Sequence, residues 1–448
     1  MERSYQVYTC SGVSAIQYLE VLMRLVNWRL PNVTIALFLA IACSPPVVVE
    51  AQQPAAVTVF EGARLIVGDG SGPVVDAAFI VENGRFTAVG RKGQLKVPAG
   101  AVRVDLTGKT VMPAIVDMHK HLAVTRDALV DQLQHLAYYG IGVAMSMGQD
   151  TGDVAFQVRA ETIPNAARFR TAGRGLTGPE PGRTEAPYWV RTEAEARKDV
   201  QELAAKKVDL VKFWVDDRDH TVTQLSPALY GAAIDEAHKH GLRTIAHIYT
   251  LEDAKGVLRA GIDYFAHSVR DRDIDDEFVS MMKARPSMIV DPNLPDRGVR
   301  VDRSWLRESV GPAAFEKLQA ESKDDPKAQQ FFGIQSRNLA KLNAAGIKIA
   351  LGTDGPIPWA AHEEMADMVA SGMTPAQVIV AATRNAAELL KVTDAGAVAA
   401  RKSADFIVLD ANPLDDITNT RRIAAVYLRG SQVDRAGLRA RWTSGKSQ

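Results

Sequence analysis

Cysteine is nearly absent from this chain. Its 448 residues hold two, Cys10 and Cys43, and both fall in the first fifty positions. Everything beyond them is free of thiols, which excludes a disulfide partner, a thiolate nucleophile and a cysteine-based zinc finger there. An excess of one charge is also lacking, with 53 basic residues against 53 acidic. Nothing therefore steers nucleic acid or an anionic membrane surface to the protein. There is no internal repeat and no low-complexity stretch.

The amino terminus differs from the rest. Arg24 and Arg29 precede an apolar stretch, Val33 to Ala42, and Val47-Val-Val-Glu-Ala51 follows before Gln52. A basic region, an apolar core too short to span a bilayer and a small-residue V-x-A site outline a secretory signal peptide. Residues 1–51 are thus read as a leader, with translation starting at Met23 as an alternative to Met1, and the protein is expected to be exported, periplasmic or secreted. Lipidation at Cys43 is the weaker reading, because Ala40 is a poor residue three places upstream.

From Val57 to Val111 short apolar runs alternate with the turn signals Gly68-Asp-Gly-Ser-Gly, Asn83-Gly and Pro98-Ala-Gly, as in a small antiparallel β-domain. After Ala114, strand-like runs alternate with helical stretches, at 127–139, 193–207, 226–239, 251–260 and 275–284. Eight such runs in alternation with helices predict a parallel α/β sheet, and Pro113 to Lys391 is close to the roughly 250 residues typical of a (β/α)8 TIM barrel. Strand pattern returns at Asp405-Phe-Ile-Val-Leu and Ile423-Ala-Ala-Val-Tyr-Leu. The expected organisation is a barrel over 113–395, a composite β-sandwich domain from 52–112 plus 396–437, and a tail over 438–448.

The chemistry lies at the ends of the barrel runs. His119 and His121 stand two apart in a strand and so share a face; two imidazoles on rigid backbone make half a zinc site. Lys212 ends Val208-Asp-Leu-Val-Lys, His247 ends Thr244-Ile-Ala-His, His267 ends Ile262-Asp-Tyr-Phe-Ala-His, and Asp354 ends Ile347-Lys-Ile-Ala-Leu-Gly-Thr-Asp. In a closed parallel barrel these positions converge on one rim. Four imidazoles can hold two divalent cations, with zinc expected, which acidify water and polarise a carbonyl; Asp354 can ligate and carry a proton to the leaving nitrogen. Lys212 cannot ligate as an ammonium. Shielded and close to metal charge it is driven towards the amine, which can add carbon dioxide to become a bridging carbamate, N6-carboxylysine; the alternative is a buried lysine paired with Asp216, Asp217 or Asp219.

These residues resemble the amidohydrolase superfamily, in particular its imidazolonepropionase-like and prolidase-like members. That family's pattern is H-x-H after strand one, a carboxylated Lys after strand four, His after strands five and six, and Asp after strand eight. It corresponds here to His119, His121, Lys212, His247, His267 and Asp354. The resemblance runs from about Val57 to Val433 and includes Val111-Met-Pro, Leu351-Gly-Thr-Asp-Gly, Thr383-Arg-Asn-Ala-Ala and Ala404-Asp-Phe-Ile-Val-Leu. Ala114 and Ala266 depart from the usual Gly and Glu, and neither is a ligand position.

The other histidines have blander readings: packing or surface for His135, helix-end surface for His238 and His240, and loop surface for His220. Lys120 alternates away from its neighbours and is read as a solvated rim residue. Substrate contacts are expected from Tyr249, Arg270, Arg183 and His362; Arg183 lies in a Gly/Pro-rich segment, 173–187, that can form a lid. The charged stretch 296–331 is too long for an ordinary loop and is expected to fold as helices over the pocket. The reading is an exported binuclear metal hydrolase of a small-molecule C–N amide: an N-acyl amino acid, a dipeptide such as Xaa-Pro, or a cyclic amide. A lactone or phosphotriester hydrolase is the second reading, since the fold does not choose between them. A non-catalytic binding barrel would require a lost site position, and none is lost. A homo-oligomer is compatible with the sequence. The leader reading predicts that exported protein, measured by intact mass, begins at Gln52; a mature chain retaining residues 1–51 overturns it.

Overall fold

The computed structural model describes residues 57–443; the leader, both cysteines and residues 444–448 lie outside the described residues. β1 (Thr58–Leu65), β2 (Val74–Glu82) and β3 (Arg85–Arg91) form an antiparallel meander. Asn83 and Gly84 join β2 to β3, both at positive φ (51° and 73°), as the tightest hairpin turns require. β4 (Val102–Asp105) and β5 (Thr110–Pro113) both run parallel to β1, one against each half of it.

Beyond Pro113 the pairing becomes parallel. β6 (Ile115–Lys120), β7 (Ile141–Ser146) and β8 (Arg168–Thr171) make one ladder. The second contains β9 (Leu176–Thr177), β10 (Tyr188–Trp189), β11 (Val211–Trp214), β12 (Thr244–His247), β13 (Tyr264–Ala266), β14 (Ile289–Asp291) and β15 (Lys348–Ile349), in the order β10-β9-β11-β12-β13-β14-β15. Backbone hydrogen bonds join the ladders at both ends: Asp209 N donates to Thr171 O and Met118 N to Leu351 O, each at 3.0 Å. The 173–187 segment is not loop throughout, because β9 inserts its backbone beside β11.

Helices fill the connections at Arg126–Tyr138, Glu193–Ala205, Pro227–Lys239, Leu251–Ala260 and Asp276–Lys283, within two residues of the expected bounds. Their limits follow from capping. Thr192 and Glu195 form a capping box. Thr250 caps the fourth of these helices, and Gly261, at φ +104°, ends it. The 296–331 stretch contains a short 3-10 turn at Ser304–Leu306, a helix at Pro312–Glu321 and the start of a long helix, Pro326–Ala344.

The chain then returns to its first sheet. β16 (Phe406–Leu409) pairs antiparallel with β5, β17 (Ile423–Leu428) with β16, and β18 (Ser431–Gln432) with β17. These eight strands follow one hydrogen-bonded path that branches at β1. Phe60 stacks on Phe79 with centroids 5.0 Å apart, Phe406 stacks on Tyr427 at 4.6 Å, and Phe60 meets Phe406 edge-on at 5.1 Å. Aromatic pairs of this kind add to the area they bury. Phe406→Ala is therefore expected to lower stability by about 3–5 kcal/mol, measured by urea unfolding; a loss below about 1 kcal/mol would mean the cluster does not hold the sheet.

Candidate metal centre

β6 delivers the first histidine pair. His119 is fully buried and His121 follows just past the strand end. Asp291, the last residue of β14, grips the first ring from behind, its Oδ2 lying 3.1 Å from His119 Nδ1. With Asp291 ionised, Nδ1 donates to it and Nε2 keeps its lone pair facing the site; burial by itself pushes Asp291 well above the usual carboxylate range. Asp117 accepts from the backbone N–H of His119 through Oδ1.

Lys120 corrects the sequence reading. It is not on a solvated rim but completely buried; its Nζ donates to Thr353 Oγ1 at 2.8 Å and Ile357 O at 2.9 Å, with Asp117 Oδ2 at 3.6 Å. A parallel strand is covered on both faces, so the residue between the two histidines also meets protein, here the loop that carries Asp354.

Asp354 is the meeting point. Its Oδ1 lies 3.0 Å from His121 Nε2 and 3.3 Å from His119 Nε2, and its Oδ2 lies 3.6 Å from His267 Nε2. Ligand atoms of His119, His267 and Asp354 all fall within 4.8 Å of one another. Two of these residues sit in left-handed backbone, His267 at φ +81° and Asp354 at +46°, a conformation a non-glycine residue holds only where its surroundings enforce it. Asp354 N donates to His119 O at 2.8 Å. Gly352 is required beside them, since a Cβ there would lie 2.5 Å from His119 Cβ and 2.6 Å from Asp291 Oδ2.

Lys212 is the second residue of β11 and not its end. It is fully buried, its Nζ 3.3 Å from His119 Nε2 and 5.3 Å from the Trp214 ring centroid. Asp216 does not pair with it. Asp216 Oδ2 instead lies 2.7 Å from His247 Nε2 and accepts from Arg218 Nη1 at 2.8 Å. Arg270 lies with its Nη2 2.8 Å from His267 Nδ1. His247, Tyr249, Arg270, Asp216, Arg218 and His220 line a cavity of about 530 Å³.

Burial governs the charges. It holds His119 and His267 well below the usual imidazole range, helped by the cations Lys212 and Arg270 respectively, and brings His247 to about 4. Burial also draws Lys212 down to about 7, so its amine is populated near neutrality. For Asp354, burial pushes the carboxyl up, but His267, His119 and His121 around it win and bring it far below the ordinary carboxylate range. Neutral imidazoles facing an ionised carboxylate are the donor set of a divalent cation, and the residues present fit one.

Two expected substrate contacts, His362 and Arg183, lie elsewhere or at the margin, while His135 and His238 take the packing and surface places expected of them. His362 is buried away from this cluster, its Nδ1 3.0 Å from Thr420 Oγ1 and its Nε2 2.9 Å from Tyr139 O, so both ring nitrogens are engaged. Arg183 is half-exposed and pairs with Glu180 at 3.6 Å. His135 stacks on Trp442, and His238 pairs with Asp263 at the surface. The residue the sequence reading passed over is Asp291, although it closes the seventh strand-like run, Met288-Ile-Val-Asp, just as the ligand candidates close theirs.

The model of the amidohydrolase family matches residues 110–433. The chain belongs to the amidohydrolase family. As an amidohydrolase it is a hydrolase acting on carbon–nitrogen bonds. It is 25% identical over 386 residues to an imidazolonepropionase of Deinococcus radiodurans, covering 80% of this chain and 92% of that one. Among solved structures, a Xaa-Pro dipeptidase with bound methionine is similar at a TM-score of 0.66 and 20% identity, over 84% of this chain and 99% of its own. Molinate hydrolase is similar at 0.68 and 22%, over 86% and 96%. At these identities the two structures speak for the fold of the amidohydrolase and no further.

Asp291 generates a prediction. Asp291→Ala should weaken divalent-metal binding roughly 10–100-fold by freeing the His119 ring, read by competition with a chelator. Unchanged affinity would mean the carboxylate does not orient His119.

Proposed function

We propose that this amidohydrolase cleaves a small-molecule amide carrying a carboxylate near the scissile bond: an N-acyl amino acid, a dipeptide or a cyclic amide. In this reading β6 to β8 and β11 to β15 make a closed eight-stranded barrel, with β9 and β10 as additions to it, supported by the hydrogen bonds from Asp209 and Met118 at its seams. His119, His121, Lys212 as a carbamate, His247, His267 and Asp354 would hold two divalent ions, with zinc the expected metal. The observation that carries the reading is the buried Lys212, its Nζ 3.3 Å from a histidine nitrogen that faces Asp354. A lysine there serves no surface purpose, and its populated amine can add carbon dioxide to give a bridging carboxylate.

When bound, the ions polarise the carbonyl and acidify water. The remaining steps belong to the chain. Asp354 takes a proton from the attacking water and returns it to the leaving nitrogen. Tyr249 and Arg270, on the wall of the 530 Å³ cavity, take the substrate carboxylate and orient the bond.

Purified protein is expected to contain close to two divalent ions per chain. Lys212→Ala should be inactive and regain part of its rate when short carboxylic acids are added with metal. Tyr249→Phe should raise KM more for carboxylate-bearing amides than for their esters. A Lys212→Gln enzyme of wild-type activity overturns the carbamate, and lactones cleaved far faster than any such amide overturn the substrate.

A further inference from the structure

A cavity larger than the one beside the metal centre, about 760 Å³, has none of the metal-centre residues on its wall. It lies between the end of the Arg126–Tyr138 helix, the turn at Ser304–Leu306, the residues just before β17 and the last helix, Arg435–Thr443. We infer that this cavity is a binding site for a small organic anion, whose carboxylate or phosphate group is taken by Arg421, Arg422 and Arg435. The inference stands independently of the metal-centre reading.

Cations on this wall outnumber the carboxylates free to meet them. Four guanidiniums and three carboxylates line the cavity, and each carboxylate is engaged. Glu308 pairs with Arg439 at 2.8 Å, and Asp410 pairs with Lys109 at 2.6 Å. Asp434 Oδ1 accepts from Gly437 N at 2.9 Å at the start of the last helix. The other guanidiniums hydrogen-bond to backbone carbonyls alone. Arg421 Nη2 donates to His362 O at 3.4 Å, while Arg435 donates through Nε to Tyr138 O at 2.9 Å and through Nη1 to Ile423 O at 2.7 Å. A carbonyl occupies an N–H group and leaves the charge in place. Behind Arg421, Glu363 and Asp367 are already paired with Arg303 and Arg297. Arg422 is exposed, and its side chain has no hydrogen bond or ion pair among the described residues. Three cations without a carboxylate of their own thus face one carboxylate, Asp434, without a cation.

The arrangement of these cations suits an oxyanion. Arg435 lies over the Tyr138 ring at 4.4 Å, and Arg421 over the Trp305 ring at 5.0 Å. A guanidinium stacked on a ring is held flat with its N–H edge turned sideways, and that edge matches two oxygens of a carboxylate or phosphate. Trp305 Nε1 and Arg421 Nε are buried without an acceptor, so this wall is short of acceptors and not of donors. Ala424 and Ala425, with the aromatic rings, offer apolar surface to the body of the molecule. The volume falls within the roughly 300–1,000 Å³ of small-molecule sites.

The test is a titration of the full, metal-loaded chain labelled with 5-fluorotryptophan and followed by 19F NMR. Trp305→Phe assigns the resonance at the cavity, and Trp214→Phe assigns the one beside Lys212 at the metal centre. Isophthalate and phenyl phosphate are the probes, one for each class of anion. At least one should shift Trp305 saturably, with a dissociation constant below about 1 mM, and the tighter of the two names the class. Arg422→Glu should weaken that binding at least about tenfold by setting like charge against the probe. Arg421→Lys should weaken it too, because it keeps the charge and loses the fork. Lys96→Glu, the same charge change at an exposed position off the cavity wall, should leave it unchanged. A Trp305 resonance that neither probe moves, a shift confined to Trp214, or wild-type affinity in Arg422→Glu overturns the inference.

Discussion

The interaction on which the site depends is the approach of one ionised carboxylate, Asp354, to three imidazole nitrogens at 3.0 to 3.6 Å. Bare lone pairs cannot sit this close to a carboxylate unaided. Either the rings turn N–H groups towards it, or a cation lies between them. Burial weights the choice by keeping the His119 and His267 rings neutral, and Asp291 Oδ2 faces Nδ1 of His119. Gly352, with no side chain, and Lys120, which ties the Asp354 loop to the histidine strand, are what let the carboxylate come near enough.

Much of this was legible because strand geometry is simple. Two histidines spaced by two must share a face, and parallel strands that end in His or Asp present those residues at the same end of their ladder. The helices were legible too, since their caps are local. What could not be read was whatever depends on a partner far along the chain. Lys120 is buried by Thr353, 233 residues away; period two says only that it points opposite to His119, not that protein waits there. His362 carries the same lesson in reverse, because a loop after the last strand looks pocket-facing until Tyr139 and Thr420 claim both its nitrogens. Asp216 offered itself to Lys212 by proximity in sequence, and three-dimensional register gave it to His247. Two-residue β9 was hidden in a segment rich in Gly and Pro, where local signals favour turns.

The two sheet systems also share charged joints. Arg168, the first residue of β8, donates to Asp394 at 2.7 Å and to Asp405, beside β16, at 2.9 Å. A guanidinium shared between two carboxylates is more rigid than a single surface pair, which contributes little. This joint links a strand of the ladder that holds His119 to the segment that leads the chain back into its first sheet.

That first sheet has a bearing on how the protein comes to exist. Lys109, next to β5, pairs with Asp410, next to β16, and 301 residues separate them. At a synthesis rate of roughly 5–20 residues per second, β1 to β5 leave the ribosome about 15–60 s before β16 does. Throughout that interval the aromatic faces of Phe60 and Phe79 are made but uncovered, and one edge of β5 is unpaired. The strands that bring Phe406 and Tyr427 onto this aromatic surface are therefore among the last to be translated.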